Sequence, residues 1–599
     1  MLTLRRQMAL ALLLVLGLLL ATFVPASTAV AQDPPNASAG EKNLVLYTVD
    51  VLDKIVKHHP EGKKHTVQEF VDGAAYGVAR AIQAKKDMPA EQRDMLVKYL
   101  REQKFTSFYQ LLHLMDRFSR KFTTLNMDAV ADAACMGAIK VTGDQFTRIM
   151  TMDELQKMQQ MMQQGGDTDK SLGVAPMPVP GTEDDEVLRM MVGHVRRNYL
   201  GYDMGLAPHD EILAINGRKL GDIPRAELGS LMEAEVGGKV SITIKREGFD
   251  QPITVTGVQT SVDHPSARGV MLPCGKLGYI DTNMFSMTLH TDVKAAIDRL
   301  VPQGMKALIL DLRNNPGGAM PACTELADYF LEPGKLITTT KGTYENPLAG
   351  MARFIQPGMD IGEKIDAETT VWKAKQANPY TFPVIVLVNH MSASASEMLS
   401  GCLKSWKRAV IVGETSYGKG IGQTAVMLGR GPRGSLGMMS MMGGGGDGMR
   451  MLYMTVMTYF LPHGEAVHHI GISPDVEVKL NDYTPAEFAK IAAFRSSGKI
   501  DAYLNQTWET RKDWFVKQLT GAPATLSEYP AQNLLAGVKG TIGDEQLERE
   551  LRHAIAIRAG HANAMVNIND DNQLQEAIRQ ACKACGLDSK DLDAYRHIK

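Results

Sequence analysis

NHMSASASEMLSGCLKSWKRAVIVGETSYGKGIGQ, residues 389–423, is the stretch on which the fold turns. The apolar run Pro383-Val-Ile-Val-Leu-Val388 leads into it and stops at Asn389. Small residues follow from Ser392 to Ser396, and then Met398, Leu399, Cys402 and Leu403 fall on one face of a helix. The reading is a buried strand, a tight turn and a helix N-terminus. Such a turn holds a serine hydroxyl exposed beside backbone N–H groups that have no helical acceptor. A second apolar run, Ala409-Val-Ile-Val412, reads as the next strand and delivers Tyr417-Gly-Lys-Gly420, a lysine between two glycines.

Upstream the same logic repeats. Lys276 to Asp281 reads as a strand, Asp292 to Leu300 as an amphipathic helix, and Ala307-Leu-Ile-Leu-Asp-Leu312 as a buried strand. The last ends in Arg313-Asn-Asn-Pro-Gly-Gly318, before a helix expected near Pro321. Glycine lets backbone N–H groups approach a ligand closely, and an oxyanion formed on an amide needs preorganised donors.

SASASE, RAVIVGE, YGKGIGQ and DLRNNPGG together resemble the carboxyl-terminal processing proteases, the tail-specific peptidases of the S41 serine peptidase family. The resemblance implies an α/β multidomain chain with a ClpP/crotonase-like core at 261–482. It makes Ser394 the nucleophile, Lys419 the base and Gln423 the residue that completes a triad. It draws the oxyanion donors from the Gly317–Gly318 pair and from Ala395, leaving open which glycine donates. It requires no cofactor and no metal, and no H-E-x-x-H string occurs.

Chemistry supports those roles. A serine hydroxyl is a poor nucleophile until a base takes its proton, and lysine serves only as the neutral amine. Glu414 is the obvious carboxylate near Lys419 in sequence, and it is expected to point away. Gln423 can position the amine without adding charge, and activity should rise on the alkaline side. Glu397, Ser392 and Ser396 read as helix-start residues. His390, His463, His468 and His469 leave a serine–histidine arrangement open on composition, although the lysine spacing is the better supported.

Leu206-Ala-Pro-His-Asp-Glu-Ile-Leu-Ala-Ile-Asn-Gly217 resembles a PDZ signature, which implies a PDZ domain at 170–260 inserted ahead of the core. Such a domain adds an extended peptide to a sheet edge and holds its terminal carboxylate on backbone N–H groups. Leu172, Gly173 and Val174 stand where that loop belongs. His209 replaces the usual glycine, and Pro176, Pro178 and Pro180 are expected to weaken strand pairing.

Residues 42–165 read as a helical region, with apolar positions at Val51 and Ile55, at Phe70, Val71, Ala74 and Ala75, at Leu111, Leu112 and Met115, and along Met127–Ile139. Residues 483–599 read as a helical C-terminal extension with no chemistry-bearing motif. Thr338 to Tyr380 reads as irregular surface connection, and the Gly/Met-rich stretch 429–450 as a flexible loop.

The chain has 599 residues, 44% of them hydrophobic and 22% charged, with a net charge of −2, so bulk electrostatics gives no reason to expect nucleic-acid binding. The 36 methionines read as core filler. Residues 1–31 have the form of a signal peptide: Arg5 and Arg6, an apolar stretch from Met8 to Val24, then Ala29-Val-Ala31. They predict export to a periplasmic or extracellular setting, with membrane association if the segment stays uncleaved. Of six cysteines, Cys582 and Cys585 form a C-x-x-C read as a local disulfide or plain helix residues.

Two functions of different class follow. One is an exported serine endopeptidase that cleaves proteins near their C-termini, with protein or peptide tails as substrate, an activator or adaptor protein as a further partner, and a homo-oligomer as a candidate state. The other is a non-catalytic peptide- or ligand-binding protein on the same fold.

Overall fold

In the computed structural model the described residues run from 39 to 595, apart from 165–170, 180–188, 196–198, 207–209, 224–230, 247–250, 260–265, 343–362, 429–449, 480–489, 519–523, 539–541, 559–567 and a few gaps of one or two residues. Residues 1–31, read as a signal peptide, His209 and residues 429–449 of the Gly/Met-rich stretch lie outside them.

The chain divides into two compact units, one of residues 1–152 with 425–454, the other of 153–424 with 455–599. The first is helical. It holds α1 (Ala39–His58), α2 (Val67–Gln83), α3 (Ala90–Glu102), α4 (Phe108–Ser119) and α5 (Met127–Lys140). Three of these helices start with side-chain caps. Thr66 and Glu69 form a reciprocal capping box on α2, Ser107 caps α4 and Asn126 caps α5. Helices α2 and α5 touch backbone to backbone: a Cβ on Gly77 would lie 2.3 Å from the Ala133 carbonyl oxygen. Asp132 of α5 accepts from Tyr47 (2.7 Å) and from Arg450 (3.1 Å).

One strand, β1 (Arg148–Thr151), interrupts the expected helical run and pairs antiparallel with residues 450–453. Four residues are too few to show a period of two, and the partner is distant in sequence.

The second unit opens with α6 (Met152–Gln164) and a small antiparallel sheet. Its strands are β2 (Val174–Pro178), β3 (Met190–Val195), β4 (Glu211–Ile215), β5 (Arg218–Lys219), β6 (Lys239–Lys245) and β7 (Ile253–Val258), in the order β2-β3-β4-β6-β7 with β5 on β4. Val192, Ile212, Ile215, Val240, Ile242, Ile244 and Val255 give it its own core. Prolines in β2 do not abolish pairing. The strand is at the sheet edge, where a missing N–H is tolerated, and its register shifts between Ala175 and Pro176. Arg246 and Asp210 form a buried bidentate ion pair at 2.5 Å under this sheet.

The central layer is a second sheet. It contains β8 (Ala267–Met271), β9 (Leu277–Thr282), β10 (Ala307–Asp311), β14 (Val384–Val388), β15 (Ala409–Gly413) and β18 (Val476–Glu477), in the order β18-β15-β14-β10-β9-β8. All neighbours are parallel except β8 and β9. A parallel sheet needs both faces covered. Ile280, Leu308, Leu310, Val386 and Ile411 face α7 (Leu289–Leu300), α8 (Met320–Asp328) and α9 (Ala395–Ser405). The alternate residues Leu277, Tyr279, Ile309, Ile385, Leu387 and Val412 are covered by Leu574, Ala577, Ile578 and Ala581. The last set belongs to the helix Asn572–Ala584 near the end of the chain.

Part of the stretch read as irregular is β structure: β11 (Leu336–Lys341), β12 (Glu363–Lys364) and β13 (Thr369–Lys373) pair antiparallel. Their threonine- and lysine-rich sequences conceal half-exposed strands. Two further strands, β16 (Ile421–Met427) and β17 (Arg450–Phe460), flank the Gly/Met-rich stretch. After them come α10 (Lys499–Lys517), α11 (Gln532–Val538), α12 (Asp544–Arg558) and α13 (Asn572–Ala584). Helices α10 to α12 close around Tyr503, Trp508, Phe515, Leu547 and Leu551. The six cysteines are free thiols; of the two readings of Cys582 and Cys585, a local disulfide or plain helix residues, the structure has the second, with both at the end of α13, one turn of helix apart.

Candidate active site

Strand β14 ends at Val388 and α9 begins at Ala395. The turn between them is held by its own side chains. Asn389 N–H donates to Ser392 Oγ (3.0 Å), and Ser392 Oγ–H donates to the Leu312 carbonyl (2.8 Å). Ser394 sits at the helix head with φ 55° and ψ −113°. A non-glycine residue held in that region stores about 1–3 kcal/mol and persists only where its surroundings fix it. Ser394 remains half-buried, with the side chains of Ala393 and Ala395 packed inward.

What fixes it is Glu397, which has no exposed surface. One carboxylate oxygen accepts from Ser394 N–H (2.8 Å) and Lys419 N–H (2.8 Å). The other accepts from Ser416 Oγ–H (2.6 Å) and Gly418 N–H (2.6 Å). A single carboxylate therefore ties the serine turn to the lysine turn. Tyr417 N–H donates to the Ser392 carbonyl at 3.0 Å, and Tyr459 Oη–H to the Ser394 carbonyl at 3.1 Å. The sequence reading took Glu397 for a helix-start residue. Its link to residues 416–419 has no signature in local spacing.

Lys419 is half-buried between Gly418 and Gly420. The carboxylate bound to its backbone is Glu397. Glu414, the carboxylate expected to point away, lies 3.9 Å from His390 Nδ1. Gln423 is in β16, and its side-chain N–H donates to Thr455 Oγ1 at 3.0 Å. Of the histidines, His390 is mostly exposed, and His463 lies 3.1 Å from the Ser405 carbonyl. The backbone of His469 donates to the Gly418 carbonyl at 2.8 Å.

The second turn, 312–319, lies against the first. The Asn315 carbonyl accepts from Ala393 N–H (3.1 Å) and from Ser396 Oγ–H (2.9 Å). Asn314 and Asn389 exchange two hydrogen bonds, at 2.9 and 2.7 Å. Gly317 has φ 92°, and a Cβ there would fall 2.7 Å from Ser394 Cβ and 2.8 Å from Ala395 N. No larger residue fits between the turns. Gly317 N–H donates to Asn315 Oδ1 at 3.0 Å. The N–H groups of Gly318 and Ala395 have no acceptor among the described residues.

At the expected carboxylate-binding loop, Gly173 is left-handed (φ 67°). Leu172 N–H donates to the Met232 carbonyl (3.0 Å) and Gly173 N–H to Ser171 Oγ (3.1 Å). Val174 begins β2. Two of the three N–H groups assigned to a peptide terminus are thus engaged within the chain.

Residues 276–478, which hold both turns and the central sheet apart from β8, match the model of peptidase family S41. The chain carries a peptidase family S41 domain. The carboxyl-terminal-processing protease of Synechocystis sp. is 29% identical over 327 residues, 54% of this chain and 65% of that one. The carboxyl-terminal-processing protease of Picosynechococcus sp. is 31% identical over 276 residues, 45% and 56% of the two chains. The chain thus spans between half and two thirds of the length of these curated relatives. Among solved structures, a photosystem II D1 C-terminal processing protease is 19% identical, covering 74% of this chain and 94% of its own, with a TM-score of 0.45. Among the described residues of the chain, no group of His, Cys, Asp and Glu is arranged to hold a metal ion.

Proposed function

We propose that the chain is a serine endopeptidase that cleaves protein substrates near their C-termini through Ser394 and Lys419. The observation that carries this reading is the Glu397 bridge. It binds the backbone of a strained serine at a helix head and the backbone of a glycine-flanked lysine with the same carboxylate oxygen. Curated relatives of the chain are named for carboxyl-terminal processing.

In this mechanism the neutral Lys419 amine takes the Ser394 proton as the hydroxyl attacks the scissile carbonyl. The oxyanion is held by the N–H groups of Gly318 and Ala395, since that of Gly317 is engaged with Asn315. Lys419 then passes the proton to the leaving amine, and water releases the acyl-enzyme. Gln423 gives its amide N–H to Thr455, which leaves its carbonyl oxygen to orient the lysine amine.

The core belongs to this reading as a ClpP/crotonase-like α/β layer, and the sheet of residues 174–258 as a PDZ domain. With the Leu172 and Gly173 N–H groups engaged, that domain gates the site until those two bonds open to a substrate tail. Export follows from the N-terminal segment.

The test is cleavage of an unstructured protein by wild type, Ser394→Ala and Lys419→Ala. Loss of cleavage in both variants supports the reading; cleavage equal to wild type in both overturns it.

A further inference from the structure

Arg313 is the first residue of the turn that carries Gly317 and Gly318, and a residue near the end of the chain holds it. Asp571 grips the guanidinium with both oxygens, Oδ1 to Nη1 and Oδ2 to Nη2, each at 2.8 Å. Asp311, the last residue of β10, accepts from Arg313 Nε at 2.9 Å and from the Arg313 backbone N–H at 3.0 Å. Gln573 Oε1 accepts from Nη1 at 3.1 Å, and Tyr279 Oη–H donates to Asp311 Oδ2 at 2.8 Å. Every side of the fork is occupied. The Arg313, Asp311 and Asp571 side chains are 9%, 4% and 2% exposed, so solvent screens the set little.

Asp571 is fixed in turn. It is the N-cap of α13, with Oδ1 accepting from Leu574 N–H at 3.0 Å. The helix does not need this ion pair to adhere. Leu574, Ala577, Ile578 and Ala581, each 0–1% exposed, already bury its apolar face on the sheet. A buried ion pair adds little net stability over apolar contact, and its distinct effect is on geometry. Here the geometry governed is the start of the 313–318 turn. Two carboxylates on one guanidinium also leave the triad one charge negative, so neutralising Asp571 does not strand a lone charge.

We propose that Asp571 is a positioning residue for the oxyanion turn, so that the C-terminal helix sets the alignment of the Gly318 donor against Ser394. The inference rests on the peptidase reading above. It makes α13 a working part of the S41 domain, although it lies beyond residues 276–478.

The experiment compares full-length wild type, Ser394→Ala, Asp571→Asn, Asp571→Glu and Ile578→Ala on one unstructured protein substrate, with kcat and KM measured separately. Misplacing a catalytic group by a fraction of an ångström to an ångström costs on the order of 10- to 100-fold in rate, so Asp571→Asn should lose that much in kcat with KM nearly unchanged. Asp571→Glu, which keeps the bidentate carboxylate, should recover part of it. Ile578→Ala weakens the same helix without touching Arg313; it should lower thermal stability and leave kcat within about twofold below its unfolding range. The proposal is overturned if folded Asp571→Asn keeps wild-type kcat, or if Ile578→Ala loses kcat as much as Asp571→Asn does. If wild type cleaves no faster than Ser394→Ala, the peptidase reading has failed instead, and the proposal falls with it.

Discussion

Replacing Glu397 with glutamine tests the bridge between the two turns. The carboxylate receives four donors, two on each oxygen, and the side chain has no access to water. An amide keeps one acceptor oxygen and turns an NH2 toward the other pair. Ser416 can reverse its hydroxyl and accept from that NH2, while Gly418 N–H cannot reverse. The carbonyl oxygen should therefore stay with Ser394 and Lys419, and Gly418 should be left unsatisfied. A hydrogen bond to a charged group is worth about 1.5–3 kcal/mol, and two weakened bonds with one recovered give a net local cost near 3 kcal/mol. That corresponds to roughly a hundredfold rise in local opening of the lysine turn. Hydrogen exchange of the peptide spanning residues 415–420 reads this opening directly and does not require the whole chain to unfold in one step. Exchange in Glu397→Gln within about twofold of wild type would refute the bridge as a load on the lysine turn.

Gly317→Ala should abolish proteolysis and lower stability by more than the ~1–3 kcal/mol of a left-handed alanine, because the added Cβ would also lie 2.6 Å from the Ala393 carbonyl oxygen; activity and thermal denaturation check it. Gly77→Ala should force α2 and α5 apart, with a Cβ 2.3 Å from the Ala133 carbonyl oxygen, and should reduce the melting temperature without altering the S41 domain's own chemistry. Burial pushes the Cys582 thiol up from its ordinary value of 9.0 to about 11. Its contribution is then present below pH 9 and is lost as pH rises toward 11. Circular dichroism should accordingly show α13 loosening over that window, with a smaller change in Cys582→Ala.

Strands β9, β10, β14 and β15 and helices α7 to α9 were legible because they are buried on both faces or strictly periodic. The run 384–388 has no polar residue, and α7 repeats apolar positions at Leu289, Val293, Ile297 and Leu300. The serine turn was legible because only small residues fit the contact with Gly317. Strands β1 and β11 to β13 were not, since short, threonine-rich, half-exposed segments carry no period that separates them from loop. The two carboxylates that brace the site were also hidden. The bond from Ser394 N–H to Glu397 is the local one expected of a helix-start glutamate, but the reach of Glu397 to residues 416–419 and of Asp571 from a distant helix leaves no trace in local spacing. The same holds for α13, whose apolar face names no partner until the uncovered side of a parallel sheet is seen beside it.

The most direct measurement on the central claim is the rate at which a fluorophosphonate reagent labels Ser394, read by peptide mass spectrometry in wild type and in Lys419→Ala. Labelling at Ser394 that rises toward alkaline pH in wild type and falls by at least about a hundredfold in Lys419→Ala is the expected result, since a positioned base contributes about 10²–10⁴ in rate. Labelling of Ser394 at the same rate in both proteins, or of a different serine, would contradict the Ser394–Lys419 account.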